Sequence, residues 1–361
     1  LVHALLETTG AFLARAVAVA KLRQRTELGD RREQDLGRAF TSMARWFDAP
    51  PMLLFHRFDR QTLSLVFREK SAVPESFHQL FRSQADSAVR GAAWQLPDFQ
   101  QMGTKELEER LSRIVLRSGQ KLGTAPEGSC YVVSPDNFVK MVWIALRVES
   151  RVPVIIMGET GCGKTSLIRH LARLMSVDFE CLNIHAGISD DDIEEFVQQC
   201  CTKAEAKEEV WAFLDEVNTC DHLGMIAGIL CHHTLHGKPL PSNLVFIAAC
   251  NPYRLKDASG AAEVAALTLS DTSRRRKHAE LVYSVHELPE AMFDFLWDFG
   301  GLGQAEEQSY IEAMAEGVSK LPPVRRKIFA HLIFQSQRFV SSVLPNILLS
   351  LRDVKRCIDL A

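Results

Sequence analysis

A glycine-rich stretch of eight residues is the part of the sequence best suited to chemistry. Residues 158–165 read GETGCGKT, which fits the pattern G-x-x-x-x-G-K-[ST] at every fixed position. Glycines let the backbone wrap a phosphate without a clash, and consecutive N–H groups at a helix start attract the anion. Lys164 supplies a mobile positive charge for the β- and γ-phosphates, and the Thr165 hydroxyl can complete the coordination of Mg²⁺. The stretch therefore predicts a site for ATP with magnesium.

The surrounding sequence is that of a strand, a loop and a helix, which is the context that this chemistry needs. The apolar run VPVIIM precedes the glycines at 152–157, and SLIRHLARLM follows them with the spacing of an amphipathic helix. A glycine turn that binds nothing is the alternative, and the complete pattern in this context disfavours it. The predicted nucleotide-binding residues are the loop and the first helical residues: Gly158, Glu159, Thr160, Gly161, Cys162, Gly163, Lys164, Thr165 and Ser166.

Polar side chains close two later apolar runs. Asp215 is the last residue of VWAFLD, and Glu216 follows it. Asn251 directly follows NLVFIAAC. Parallel sheets hold ligands at the carboxyl ends of their strands, so these side chains are expected near the glycine loop. Asp215 suits a direct or outer-sphere contact with Mg²⁺, and Glu216 suits the polarisation of an attacking water. Asn251 could hold the same water or the γ-phosphate, although Asn-Pro is also an ordinary turn.

Five short apolar runs alternate with helical stretches and predict an α/β fold. The runs are residues 152–157, 179–184, 210–215, 243–250 and 280–285. Buried strands that alternate with helices indicate a parallel sheet covered on both faces. The sequence is predicted to be helical over about the first 120 residues and again from Glu290, including the stretch AMFDFLWDFGGL. We predict a helical segment at 1–125, an α/β domain at 126–289 and a helical lid at 290–361.

Composition restricts the function and the location. The chain has 361 residues and a net charge of −3, so no whole-chain charge favours nucleic acid. No apolar run reaches the roughly 18 residues that a membrane-spanning helix needs. Nine cysteines without a CxxC pair favour a reducing compartment, and we expect a cytoplasmic protein. The first residue is Leu1, and we expect the sequence to be part of a longer chain.

The order of glycine loop, acidic pair, strand-ending asparagine and helical tail resembles that of AAA+ ATPases. The resemblance covers roughly residues 126–361 and implies a five-stranded parallel sheet with a helical lid. It implies that Asp215 and Glu216 are the Walker B pair and that Asn251 is sensor 1. Arg352 in SLRDVKR looks like the sensor 2 arginine, although a surface partner at i,i+4 spacing is the alternative.

Longer stretches are similar to the AAA+ region of the mysterin-type giant RING ubiquitin ligases. They include PDNFVKM, LDEVNT, ACNPYRL and LVYSVHELPEAMFDFLWDFG. This resemblance implies neighbouring AAA units in the same chain or ring, and an E2 enzyme and ubiquitin as partners of the parent protein. It also allows association of the parent with membranes or lipid droplets. The arginine finger stays unassigned among Arg274, Arg275, Arg276, Arg325 and Arg326.

Two functions remain open from the sequence. The first is Mg²⁺-dependent binding and hydrolysis of ATP, coupled to the conformation of a large ligase. The alternative is a module that holds ATP without hydrolysing it and so stiffens that ligase. The presence of Glu216 favours hydrolysis, because a module that only binds ATP does not need the base.

Overall fold

The computed structural model describes residues 44–45, 52–55, 63–75, 77–78, 97–116, 131, 133–159, 161–252, 285–300, 304–316, 322–343 and 351–360. The strands are β1 Ala44–Arg45, β2 Met52–Phe55, β3 Leu63–Val66, β4 Val154–Met157, β5 Asp178–Asn183, β6 Val210–Asp215, β7 Thr234–Leu235, β8 Lys238–Pro239, β9 Leu244–Cys250 and β10 Leu296–Asp298. The α-helices are α1 Thr104–Val115, α2 Pro135–Glu149, α3 Lys164–Leu174, α4 Asp190–Ala206, α5 Leu223–His232, α6 Glu290–Phe293, α7 Gln304–Glu316, α8 Pro323–Val343 and α9 Leu351–Asp359.

A parallel sheet with the strand order β1-β10-β4-β9-β6-β5 forms the centre of the fold. Its five main strands are flanked by helices, and this confirms the predicted α/β class with a five-stranded parallel sheet. The two-residue strand β1 adds a sixth, short strand at one edge. Strand β4 lies next to β9, and β9 lies next to β6, so the glycine loop and the two polar strand ends share one edge of the sheet.

The fifth main strand is not the one that the sequence predicted. Residues 280–284 lie outside the described residues, and Val285 is not in a strand. The fifth strand is β10, in a stretch that was expected to be helical, so that expectation was wrong. Leu296 packs into the core on one face of the sheet and Trp297 into the core on the other. A run that is buried on both sides carries no helical or alternating period, so its pattern could not reveal the strand.

Helix α2, which precedes β4 and the glycine loop, begins with a capped first turn. The Ser134 hydroxyl accepts a hydrogen bond from the Asn137 N–H at 3.2 Å, and Pro135 occupies the first helical position. Such a cap satisfies one of the N–H groups that a helix start leaves unpaired. The end of α2 is fixed against the sheet, because the Arg147 guanidinium donates to the Phe295 carbonyl oxygen at 2.7 Å.

The described part of the N-terminal region contains strands as well as a helix. Helix α1 lies in the stretch that was expected to be helical, and its apolar residues Leu107, Leu111, Ile114 and Val115 are buried. Strands β2 and β3, however, form an antiparallel pair in a region that was expected to be helical. The division into 1–125, 126–289 and 290–361 stays a prediction. Helix α1 shares its core with the sheet, and β10 pairs with β4 from beyond residue 289.

Two apolar cores cover the two faces of the sheet. In β6, Trp211 and Phe213 pack with α1, α2 and α3, whereas Ala212 and Leu214 pack with α4 and α5. This alternation is the two-residue period of a strand buried on both faces. A third core joins α7, α8 and α9, which we call the C-terminal helical cluster. It comprises Ile311, Ala315, Ala330, Phe334, Val354 and Ile358. No helix in the described part of the chain has the length and apolar character to cross a membrane.

We expect Phe213→Ala to lower the free energy of unfolding by about 3–5 kcal/mol, because it opens a cavity in the centre of the sheet. Phe213 is fully buried on β6. Denaturant unfolding followed by circular dichroism measures the change. Phe339→Ala is the matched control, since Phe339 on α8 is 68% exposed and its loss should change stability by less than about 0.5 kcal/mol. Equal effects of the two substitutions would contradict the described core.

Candidate functional site

The glycine loop joins the end of β4 to the start of α3. Gly161 and Gly163 have φ angles of +81° and +86°, a conformation that residues with a Cβ adopt only at a cost. Successive N–H groups in such a loop point towards one concavity, which favours an anion. The Gly158 N–H donates to the Cys250 carbonyl oxygen at 3.3 Å, which ties the loop to the end of β9.

The first turn of α3 offers N–H groups to a ligand. Gly163 is the N-cap residue and has no side chain that could bond them. The helix dipole and these unpaired donors together favour a phosphate at this end. Lys164 is 9% exposed, and its Nζ donates to the carbonyl oxygens of Gly158 and Glu159 at 2.6 and 2.9 Å. The ammonium group is therefore held across the mouth of the loop.

Thr165 and Asp215 meet between α3 and β6. The Thr165 hydroxyl donates a hydrogen bond to Oδ2 of Asp215, and the carboxylate is nearly buried. These two oxygens belong to the donor types that Mg²⁺ prefers, and a site beside triphosphate oxygens needs few protein ligands. The residues present therefore fit a magnesium ion bound together with a nucleotide.

Glu216 lies directly after β6 in an unusual backbone conformation. Its φ angle is +58°, which is uncommon for a residue other than glycine and costs on the order of 1 kcal/mol or more. Two hydrogen bonds hold the turn. The Glu216 N–H donates to Oδ1 of Asp215 at 3.1 Å, and the Thr219 N–H donates to the Glu216 carbonyl oxygen at 3.0 Å. The half-buried carboxyl group is thus carried by a fixed turn beside Asp215.

Asn251 follows β9 and is 4% exposed. Its N–H donates to Oδ1 of Asn218 at 3.0 Å, and its carbonyl oxygen accepts from Nδ2 of Asn218 at 2.8 Å. Asn218 lies in the short 3₁₀ helix Val217–Thr219, two residues after Glu216. Sequence reasoning did not single out Asn218. LDEVNT is mostly polar, so nothing in the sequence marks Asn218 as the buried amide that needs partners.

A group of aromatic side chains links the C-terminal helical cluster to the elements around the loop. The Tyr310 hydroxyl on α7 donates to the Tyr131 hydroxyl at 3.2 Å, and Asn137 on α2 donates to the same oxygen at 2.9 Å. The Tyr131 ring stacks on His170 of α3 at 4.5 Å. Burial lowers the pKa of His170 to about 4 and raises that of Tyr131 to about 12, so both rings are uncharged at neutral pH. Sequence reasoning missed this group.

Glu307 on α7 connects this helix to α8. Burial raises the pKa of Glu307, the hydrogen bond from Gln337 and the charge of Arg338 lower it, and the negative charge of Glu159 raises it. Gln337 on α8 donates to the Glu307 carboxylate at 2.6 Å.

The remaining predicted residues lie on helices or outside the described residues. Arg352 is exposed at the second position of α9, and Ser166 is exposed on the first turn of α3. Arg325 and Arg326 lie near the start of α8. Thr160, Arg274, Arg275 and Arg276 lie outside the described residues. The roles predicted for all of these residues stay predictions.

The parallel sheet, the glycine loop at its edge and the helical cluster after it are those of an AAA domain, a class that binds nucleotides. Residues 131–254 match the family model described as RNF213 AAA domain. The chain is similar to "E3 ubiquitin-protein ligase RNF213" of Mus musculus, with 29% identity over 93% of this chain and 7% of that protein. It is also similar to "E3 ubiquitin-protein ligase rnf213-beta" of Danio rerio, with 31% identity over 72% of this chain and 6% of that protein. "E3 ubiquitin-protein ligase RNF213" of Homo sapiens is 32% identical over 69% of this chain and 5% of that protein.

The chain therefore contains an AAA domain of the RNF213 family, whose other name is mysterin. This confirms the resemblance seen in its sequence. The chain spans about 5–7% of the length of the curated relatives that it matches.

Proposed function

We propose that this AAA domain binds ATP with Mg²⁺ and hydrolyses the terminal phosphate. The observation that carries the proposal is the convergence of five side chains at one edge of the sheet: Lys164, Thr165, Asp215, Glu216 and Asn251. They lie at or after the carboxyl ends of three adjacent strands, β4, β6 and β9, with Lys164 and Thr165 in the first turn of α3. Phosphoryl transfer is catalysed by positioning and by electrostatic stabilisation, which this arrangement can provide.

The glycine loop and the first turn of α3 bind the triphosphate. The N–H groups of the loop and of the first helical turn receive the β-phosphate. Lys164 exchanges its hydrogen bonds to the loop carbonyls for the β- and γ-phosphate oxygens. Thr165 and Asp215 hold Mg²⁺, which, when bound, neutralises charge on the β- and γ-phosphates.

Hydrolysis depends on the side chains at the ends of β6 and β9. Glu216 accepts a proton from the attacking water as the water oxygen bonds to the γ-phosphorus and the bond to the β-γ bridging oxygen breaks. Asn251 orients that water or contacts the γ-phosphate, and Arg352 contacts the γ-phosphate from the C-terminal helical cluster. The products are ADP and phosphate. Release of phosphate that requires both ATP and Mg²⁺ tests the proposal directly.

We place the domain in a larger ubiquitin ligase, because the relatives are named E3 ubiquitin-protein ligases. Its partners would be neighbouring AAA units. The parent protein would work in the cytosol with an E2 enzyme and ubiquitin as its partners. The contact between Tyr131 and Tyr310 gives a physical link between the nucleotide site and the C-terminal helical cluster. The alternative module holds ATP without turnover, and it predicts tight ATP binding with no phosphate release.

We expect Thr165→Val to weaken the Mg²⁺-dependent part of ATP binding about tenfold, or about 1.4 kcal/mol. Valine keeps the shape of threonine but lacks the hydroxyl that bonds Asp215. Titration of a fluorescent ATP analogue with and without Mg²⁺ measures the effect. Thr165→Ser, which keeps the hydroxyl, is the control and should retain the magnesium dependence. An equal magnesium dependence in the valine and serine variants would exclude Thr165 as a metal ligand.

A further inference from the structure

A buried amide side chain joins the two strand ends on which the proposed hydrolysis depends. We infer that Asn218 is a positioning residue that fixes Asn251 relative to the Glu216 turn. The inference rests on the proposed ATP hydrolysis for its kinetic consequences. Asn218 has no proposed contact with nucleotide, metal or water, and it acts through Asn251.

The Asn218 side chain continues the hydrogen bonding between the ends of β6 and β9 beyond their last paired residues. Strands β6 and β9 pair as far as Leu214 and Ala248, and beyond these residues the chains carry the proposed catalytic groups. The Asn218 side chain then donates to the carbonyl oxygen of Asn251 and accepts from its N–H, at 2.8 and 3.0 Å. One amide thus satisfies both backbone polar groups of a nearly buried residue, each of which would be costly to leave unpaired.

The backbone around Asn218 is anchored on other sides as well. The Asn218 carbonyl oxygen accepts from the His286 N–H at 2.7 Å, and Asn218 itself is 0% exposed. Next to it, the Thr219 hydroxyl contacts the carbonyl oxygens of Ile184 and Glu216 at 3.0 and 2.9 Å. The turn that carries Glu216 in its left-handed conformation is therefore tied to the ends of both neighbouring strands, β5 and β9.

Only a side chain with a donor and an acceptor on one carbon meets both requirements at this position. Aspartate would keep the bond from the Asn251 N–H but would set a carboxylate oxygen against the Asn251 carbonyl oxygen. Alanine removes both bonds and leaves the backbone of Asn251 free to shift. Because a displacement of about 1 Å at a reacting group can cost roughly 10²-fold in rate, the kinetic effect should exceed the effect on binding.

The test is a double-mutant cycle in the full chain. We expect Asn218→Ala to lower kcat about 10²-fold and to change the ATP affinity by less than about threefold. We expect Asn251→Ala to lower kcat by a similar factor. In the double variant, loss of Asn218 should add less than about threefold, because its effect is transmitted through Asn251. Multiplication of the two single effects would overturn the inference. Should Asn218→Ala fail to fold, Asn218→Ser, which places no charge in this buried site, replaces it in the cycle, and its loss of kcat should be equally non-additive.

The chain offers a matched control at the opposite end of β9. Asn243 also uses its Nδ2 to hold another element, donating to the carbonyl oxygens of Ala204 and Lys207 at the end of α4 at 2.7 and 2.9 Å. Asn243→Ala should lower the unfolding temperature and leave kcat within about twofold of the wild type. A role for Asn218 in stability alone would give the same pattern for both alanine variants, and this result would overturn the inference.

Hydrogen exchange separates failure of the inference from failure of the proposed function. In Asn218→Ala, the amide of Asn251 should exchange faster while the hydrogen-bonded amides of residues 167–174 in α3 keep their protection. This result holds even if the wild-type chain releases no phosphate, in which case the proposed hydrolysis alone is wrong. An Asn251 amide as protected in Asn218→Ala as in the wild type would overturn the positioning role whatever the hydrolysis rate.

Discussion

Lys164→Ala should weaken ATP binding by at least about 10²-fold. The lysine is the one positive side chain of the glycine loop, and its Nζ already lies across the loop mouth on the carbonyl oxygens of Gly158 and Glu159. A hydrogen bond to a charged group contributes about 1.5–3 kcal/mol, and the ammonium is expected to contact two phosphates. Loss of about 2.7 kcal/mol corresponds to a hundredfold weaker affinity. Isothermal titration calorimetry with ATP and Mg²⁺ measures the change.

The control for this prediction is another lysine. Lys238 on β8 is exposed, and Lys238→Ala should leave the affinity unchanged. An unfolding curve for Lys164→Ala is also needed, because the substitution removes two hydrogen bonds of the free protein. A folded Lys164→Ala variant with wild-type affinity would show that the loop does not bind phosphate.

Local patterns explain why the loop and its flanking elements could be predicted. The strand β4, the loop and helix α3 are contiguous, and the glycine and lysine spacing follows from what a phosphate needs. The positions of Asp215, Glu216 and Asn251 could be predicted for a related reason. Once two apolar runs are taken as parallel strands, their carboxyl ends must lie at one edge of the sheet. The structure places these three residues at that edge, and their chemical roles stay proposals.

Features that depend on distant parts of the chain could not be predicted. The hydrogen bond between Tyr131 and Tyr310 joins residues that are 179 positions apart, so no local sequence pattern predicts it. The strand β10 is of the same kind, since its partners β1 and β4 lie far from it in the sequence. Asn218 was missed because a single buried amide has no period. Its importance appears only when Asn251 is seen to need both of its hydrogen bonds.

Glu216→Gln should lower the single-turnover rate of ATP hydrolysis by about 10²–10⁴-fold and leave ATP binding intact. Glutamine has nearly the same size and keeps the turn, so the contacts with Asp215 and Thr219 should survive. It cannot accept the proton that the attacking water must lose. Rapid mixing of excess protein with radiolabelled ATP measures the rate, and equilibrium binding of ATP to the same variant measures the affinity.

The comparison between Glu216→Gln and the wild type decides between the two proposed functions. The control is Glu205→Gln, since Glu205 is exposed near the end of α4 and should not affect the rate. A large difference between the wild type and Glu216→Gln, with equal ATP affinity, requires a general base and supports hydrolysis. Equally negligible turnover in both, with tight ATP binding, would instead support the module that holds ATP. The left-handed turn at Glu216 would then be a strained structural feature without a catalytic consequence, which is the less economical account of its conformation.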